Sequence, residues 1–213
     1  MNNKLKALAS FVEKKDTVLD TCTDHAYLAI YLKRNQLCRE VYASDININA
    51  LNIARKNIEA SHLKIDTYLS DGFKNIDNKK IDTVVIAGVG ASTVLHIIVF
   101  APSNIKKFII SSNNDLAKLR KELLKRKYFI KKEEVIYDAK KYYDIMLVTR
   151  NKVKENRLTL KYGKINNHEY YLFLQDKERK ILAKIPLKNI FQRLRHMKNI
   201  YELNKIIKRI SED

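Results

Sequence analysis

Apolar and polar positions alternate along the chain as short β-rich runs, each followed by a helical repeat. Residues 17–19 (Thr-Val-Leu) form a β-branched and apolar run that stops at Asp20, and a polar turn then opens a helical pattern reaching Tyr31. Thr23 is placed to cap that helix, with Asp24 in its first turn, where the helix dipole favours a carboxylate. A loop between a strand's carboxyl end and a helix's amino end is where open α/β sheets bind ligands. The glycines of the usual dinucleotide fingerprint are missing, since Asp20, Cys22, Asp24 and Ala26 stand where Asp-x-Gly-x-Gly-x-Gly would be expected. Ahead of this unit, residues 5–12 read as a short amphipathic helix covering one face of a sheet.

The alternation continues. Residues 40–45 (EVYASD) form a second strand ending at Asp45, 25 positions after Asp20. That is near the spacing at which an acidic residue closing the second strand meets ribose hydroxyls, although an ordinary strand-end carboxylate would look the same. Residues 47–60 place Leu51, Ala54 and Ile58 on one helical face. Residues 64–69 are a third strand, followed by the turn Ser70-Asp71-Gly72. Residues 81–87 are apolar enough for burial on both faces, and Gly88 and Gly90 then lead into a helix ending near Phe100. A fifth strand over residues 107–111 exits through residues 112–115, and residues 115–127 carry Leu116, Leu119, Leu123 and Leu124 on one side. Residues 128–137 and 142–149 complete the series as an antiparallel pair. Five strands alternating with helices and closed by a hairpin is the order of a class I methyltransferase: an α/β fold with a Rossmann-like seven-stranded sheet.

Past Asn151 the character changes. Two long amphipathic segments flank Pro186, with Tyr171, Leu174, Ile181 and Ile185 at heptad spacing in the first, interrupted by Glu178. Leu187, Ile190, Leu194, Met197 and Tyr201 repeat the spacing in the second, so a C-terminal α-helical coiled-coil hairpin is expected. Residues 1–151 and 152–213 are therefore read as two domains. The second holds 16 Lys and Arg against 7 Asp and Glu, with Arg179, Lys180, Lys184, Lys188, Arg193 and Arg195 crowding toward the hairpin's tip.

Charge narrows the partners. The 213 residues contain 42 Lys and Arg against 24 Asp and Glu, a formal charge of +18. Such a surplus favours a polyanion, nucleic acid before membrane, through counterion release. An AT-rich coding bias, visible in the abundance of Ile and Asn, would also inflate Lys. Cys22 and Cys38 stand without a paired CxxC or a neighbouring His cluster, so neither a metal site nor a disulfide is expected, and a reduced cytoplasmic protein is the natural reading. The amino terminus lacks the apolar core of a signal peptide. Residues 84–102 contain no charge and are almost long enough to cross a bilayer, but Gly88, Gly90, Ser92, Thr93 and His96 interrupt them. A buried strand, a turn and a helix explain that stretch better than a membrane span.

Several segments together resemble a bacterial family, the tRNA (adenine-22, N1 position) methyltransferases. Residues 20–28 (DTCTDHAYL) are similar to its D-I-G-[ST]-D-H-A-Y-L segment, and residues 86–91 (IAGVGA) to its I-x-G-M-G-G loop. Asp71-Gly72, Asn113 where the family has Q-P-N, residues 142–148 (YYDIMLV) and residues 158–161 (LTLK) extend the likeness over nearly the whole chain. The departures are Cys22 and Ala91 for glycines, Asp45 for a glutamate and Ser112 for a proline. The resemblance implies S-adenosylmethionine as methyl donor and adenine in tRNA as acceptor, with a monomer expected. It assigns Asp20, Thr21, Cys22, His25, Asp45, Ile46, Asp71, Gly72, Ala87, Gly88 and Val89 to the cofactor. Asp24 becomes the candidate catalytic carboxylate, because methylation at N1 builds positive charge on the ring and a carboxylate beside the exocyclic amino group would offset it. Asn113 is a candidate substrate contact, and the six basic residues of the hairpin are candidate phosphate contacts.

Two other function classes are compatible with the residues. A nicotinamide-dependent oxidoreductase is disfavoured by the missing glycine fingerprint and by the lack of a Tyr-x-x-x-Lys or Cys/His pair. A non-catalytic RNA-binding protein on a decayed methyltransferase fold would account for Cys22 and Ala91.

Overall fold

A computed structural model describes residues 3–76 and 80–212. Two compact units divide the chain, residues 1–163 and residues 164–213.

The first unit is built on a seven-stranded sheet. Its strands are β1 (Thr17–Thr21), β2 (Glu40–Asp45), β3 (Thr67–Leu69), β4 (Thr83–Ala87), β5 (Lys107–Ser111), β6 (Phe129–Asp138) and β7 (Lys141–Thr149), in the spatial order β3-β2-β1-β4-β5-β7-β6. The first five are parallel, and β7 runs antiparallel to both β5 and β6. The order reverses between β1 and β4, so the connections leaving those two strands diverge and open a crevice at their carboxyl ends.

Period-two alternation sorts the strand residues onto two faces. Val18, Val41, Ala43, Val85, Ile109 and Ile145 pack on one side with α1 (Asn3–Ala9), α2 (Tyr27–Arg34) and α3 (Ile48–Ala60). Leu19, Val84, Ile86, Phe108, Ile110 and Met146 pack on the other with α4 (Ala91–Val99) and α5 (Leu116–Lys125). Each fully buried aliphatic side chain contributes about 1.5–3 kcal/mol. The uncharged stretch over residues 84–102 is thus a central strand, a glycine turn and a helix, and no helix among the described residues is long and apolar enough to cross a membrane. Asn47 caps α3 by accepting the Asn49 amide at 2.8 Å. A short helix, α6 (Arg157–Tyr162), starts at an Asn156 capping box and lies against α5, which carries the sheet unit past the compositional break at 151.

The Asp144 side chain within the YYDIMLV motif is structural. Arg120 on α5 binds Glu133 Oε1 through Nε and Nη2 at 2.8 and 2.6 Å, and Asp144 Oδ1 at 3.0 Å, all three side chains being buried. Such a network fixes the β6–β7 hairpin to the helix, and removing one partner would leave an uncompensated buried charge.

The second unit is a helical hairpin of α7 (His168–Lys184) and α8 (Ile190–Glu212). Polar pairs give the antiparallel register: Gln175 Nε2 to Asn204 Oδ1 at 2.5 Å, Glu178 Oε2 to His196 Nδ1 at 2.6 Å and to Asn199 Nδ2 at 3.0 Å. Arg193 Nη1 donates to the carbonyls of Leu182 and Ile185 at 3.3 and 2.7 Å, closing the C-terminal end of α7. These pins turn Asn199 and Leu203 inward. The heptad expectation is therefore corrected for the second segment: Leu187, in the turn ahead of α8, and Ile190, Leu194, Met197 and Tyr201 on the helix face solvent. The helix carries two apolar stripes, and periodicity cannot say which one the partner covers. Glu178, the interruption in the first heptad series, is the residue that decides.

Candidate cofactor and catalytic site

The loop from β1 to α2 does not start its helix at Thr23. The helix begins at Tyr27, and Thr23 Oγ1 instead donates to Asp20 Oδ2 at 2.6 Å. The expected cap at Thr23 and the first-turn placement of Asp24 are both corrected by the backbone. Cys22, Asp24 and Ala26 have φ of 56°, 50° and 55°, so three alternate residues of the loop are left-handed. Those are the positions that glycine holds in Asp-x-Gly-x-Gly-x-Gly. The loop follows a glycine path without glycine, at a strain of about 1–2 kcal/mol for each Cβ held there. The carboxylate that serves the helix's N-terminus is Asp20, which also accepts the Ala29 backbone N–H.

Two adjoining cavities open at the carboxyl ends of the strands. One, of about 560 Å³, is lined by Asp20, Cys22, Asp24, His25, Asp45, Ile46, Ala87, Gly88 and Val89. The other, of about 410 Å³, is lined by Thr21, Cys22, Ile46, Asp71 and Gly72. Cys22, Ile46 and Thr93 belong to both. Their volumes are those of sites for small cofactors. All eleven residues expected at the cofactor, and Asp24, therefore line one continuous crevice.

Electrostatics differ sharply around it. Burial pushes the Asp20 carboxyl up to about 6, against the pull of its Thr23 and Ala29 hydrogen bonds, and the neighbouring Asp45 adds to the rise. Burial also lifts the Cys22 thiol to about 11, keeping it a neutral SH group between the two cavities. Asp45 is buried at the end of β2, its Oδ1 accepting the Asn47 amide at 2.9 Å and its Oδ2 the Asp24 amide at 3.2 Å. Each carboxylate oxygen keeps a second lone pair for a ligand. Lys74, 2.6 Å from Oδ2, and His96, 3.2 Å from Oδ1, hold the Asp71 carboxyl below its usual range. Asp24 is different in kind: its side chain is 63% exposed, with His25 Nε2 3.4 Å away. His25 in turn stacks on Tyr27, ring centroids 5.2 Å apart.

Gly88 has φ 83° and no atom within 4 Å of where a Cβ would stand, so its bare backbone leaves open space at the crevice. Gly90 is needed for a different reason, because a Cβ there would meet Asn114 Oδ1 at 3.1 Å. That oxygen accepts the Ala91 amide at 3.0 Å, so Ala91 in place of glycine leaves the start of α4 tied to the loop after β5. Asn113 donates from Nδ2 to the Gly88 carbonyl at 2.6 Å and ties the two loops, while its side-chain oxygen stays available. Among the basic residues of the hairpin, Arg193 is engaged with helix carbonyls and Lys180 pairs with Asp176 at 2.6 Å. Arg179, Lys184, Lys188 and Arg195 are exposed.

Sequence reasoning missed Lys4, Leu5 and Leu8 on α1, which line the larger cavity, and Ser92, His96 and Ile97 on α4, which line the smaller. Only His96 carried a signal, as a lone titratable residue in an uncharged stretch. Nothing in α1 distinguishes a cavity wall from a helix that merely covers the sheet.

Residues 1–146 match the family described as Methyltransferase domain. M. capricolum TrmK, solved with S-adenosyl-homocysteine, is 33% identical and superposes with a TM-score of 0.85, covering 99% of each chain. The chain belongs to the TrmK methyltransferase family. Its Bacillus subtilis relative, the tRNA (adenine(22)-N(1))-methyltransferase, is 24% identical over 152 residues, 69% of this chain and 64% of that protein. The crystal structure of B. subtilis TrmK shares the fold at 18% identity, with a TM-score of 0.81 over 97% of this chain and 98% of that one. Within the TrmK fold, this chain takes its β1–α2 loop through left-handed φ at Cys22, Asp24 and Ala26 with no glycine in it.

Proposed function

We propose that this protein methylates N1 of adenine 22 in tRNA, using S-adenosylmethionine. The observation that carries the reading is the convergence of Asp20, Asp45 and Asp71, from the ends of three successive strands, on one crevice beside the exposed Asp24. The residues suit the cofactor. Asp45 has acceptor capacity for ribose hydroxyls, and Asp71 for an adenine amino group. Ile46, 66% exposed, offers an apolar cover at the crevice, and Gly88 leaves it open space. Asp20 faces the larger cavity as a carboxylate that a cationic amino-acid group would help to ionise. When bound, the cofactor supplies a methyl group on a positively charged sulfur.

The chain's own contribution to the chemistry rests on Asp24. Adenine N1 is a weak nucleophile, and positive charge accumulates on the ring as it takes the methyl. Asp24 accepts a hydrogen bond from the exocyclic amino group, which raises the electron density at N1 and gives the developing charge a counterpart. Its exposure is what a group reaching a macromolecular substrate requires. Lys184, Lys188, Arg179 and Arg195 supply phosphate contacts on the second unit.

The test is single-turnover methyl transfer to a tRNA transcript, with the product nucleoside mapped. Adenine at position 22 should be methylated and a guanine there should be inert. Asp24→Asn should bind the cofactor normally and lose about 10²–10⁴-fold in rate. A near-full rate for Asp24→Asn would remove the carboxylate from catalysis, and Asn113 would be the next residue to replace.

A further inference from the structure

We propose that the outward face of α8 is a platform for exposed RNA bases, an inference that rests on the tRNA reading above and adds to it a contact with bases. Ile190, Leu194, Met197 and Tyr201 recur at helical spacing opposite the buried side of the helix and are 53–61% exposed. A contiguous apolar stripe left in solvent marks an interaction surface. Phosphate contacts alone would leave it bare.

Charge selects the occupant. The exposed charged residues of α8 are cationic apart from Glu212 in its last turn, because its other acid, Glu202, is buried. Lys198 and Lys205 are exposed beside the stripe, and Lys205 Nζ lies 4.7 Å from the centroid of the Tyr201 ring. A second copy of this face would bring like charges together as it buried the stripe. A polyanion with flat apolar surfaces satisfies both features at once, and unpaired or helix-end bases have those surfaces, whereas bases within a duplex present only edges. Tyr201 is the stacking residue, Leu194 and Met197 flank the base, and Lys198 and Lys205 meet its phosphates.

The experiment measures tRNA and heparin binding by the full chain across a salt series, with sedimentation of the free protein and methylation of adenine 22 followed in parallel. Base stacking predicts that Tyr201→Ala weakens tRNA binding about tenfold. It predicts the same slope of affinity against salt, because no phosphate contact is lost. Tyr201→Phe should retain the affinity, and heparin, which has charge but no bases, should bind all three proteins alike. An unchanged tRNA affinity in Tyr201→Ala overturns the platform. So does a matching loss for heparin, or a wild-type dimer that Tyr201→Ala dissociates. Failure of the wild type to methylate adenine 22 would sink the tRNA reading itself. Methylation with an unchanged Tyr201→Ala affinity would sink the platform alone.

Discussion

Replacing Asp20 with Asn removes a carboxyl group that burial holds near neutrality. Asp20 titrates at about 6 in the folded chain against 3.8 for the free group. The fold therefore disfavours its ionised form: the associated stability is fully present below pH 3.8 and is lost as pH rises through 6. About two pH units at 1.36 kcal/mol each set that loss at about 3 kcal/mol, most of it between pH 4 and pH 7. Asparagine does not titrate, and the remaining carboxylates are common to both proteins. Urea unfolding of wild type and Asp20→Asn over this range should give stability curves that diverge by about 2–3 kcal/mol in favour of the variant toward neutral pH. A cationic cofactor group beside Asp20 would stabilise the ionised form, so wild-type affinity for S-adenosylmethionine should rise between pH 5 and pH 7, while the variant's should not. Parallel unfolding curves would refute the account, because they would mean that Asp20 ionises in the fold as easily as in water.

Asp45→Ala should weaken S-adenosylmethionine binding by roughly tenfold or more, since charge-assisted hydrogen bonds contribute about 1.5–3 kcal/mol, and an unchanged affinity in calorimetric titration would take Asp45 out of the site. Cys22→Gly relieves a left-handed Cβ worth about 1–2 kcal/mol, offset by about 0.4–1 kcal/mol of added unfolded-state entropy. The difference, at most about 1.6 kcal/mol, should raise the melting temperature by up to about 6 °C in a chain of this size, and a fall would show that the thiol's packing outweighs the strain.

Most of the sheet was legible because its signals are local. Strands closed by Asp45 and Ser111 announce themselves by β-branched runs ending in polar residues, and β2 and β5 match their expected limits, whereas β1 runs one residue past Asp20 to Thr21. β3 is shorter than its sequence pattern, pairing only at Thr67–Leu69, since an edge strand is as long as its single neighbour allows. The site was partly legible. Carboxylates at strand ends could be read in order along the chain, but Lys4, Leu8 and His96 enter from helices whose sequences are explained by packing alone.

What the sequence determined by itself was the order of elements, and with it a doubly wound sheet and the strand ends at which its acidic residues gather. It also determined the two-helix form of the second unit, because periodicity, turn residues and β-branched runs act within a few residues of one another. What only the tertiary structure decided was orientation. The left-handed path that carries Cys22, Asp24 and Ala26 around the crevice is held by contacts such as the Asp24 amide on Asp45 and the Thr23 hydroxyl on Asp20, made between loops distant in sequence or folded back on themselves. The rotation of α8, which turns Leu203 inward and Tyr201 outward, is set by Glu178 meeting His196 and Asn199 across the hairpin. A helix with apolar residues on two faces has no local reason to choose between them, and the partner that satisfies its buried polar groups makes the choice.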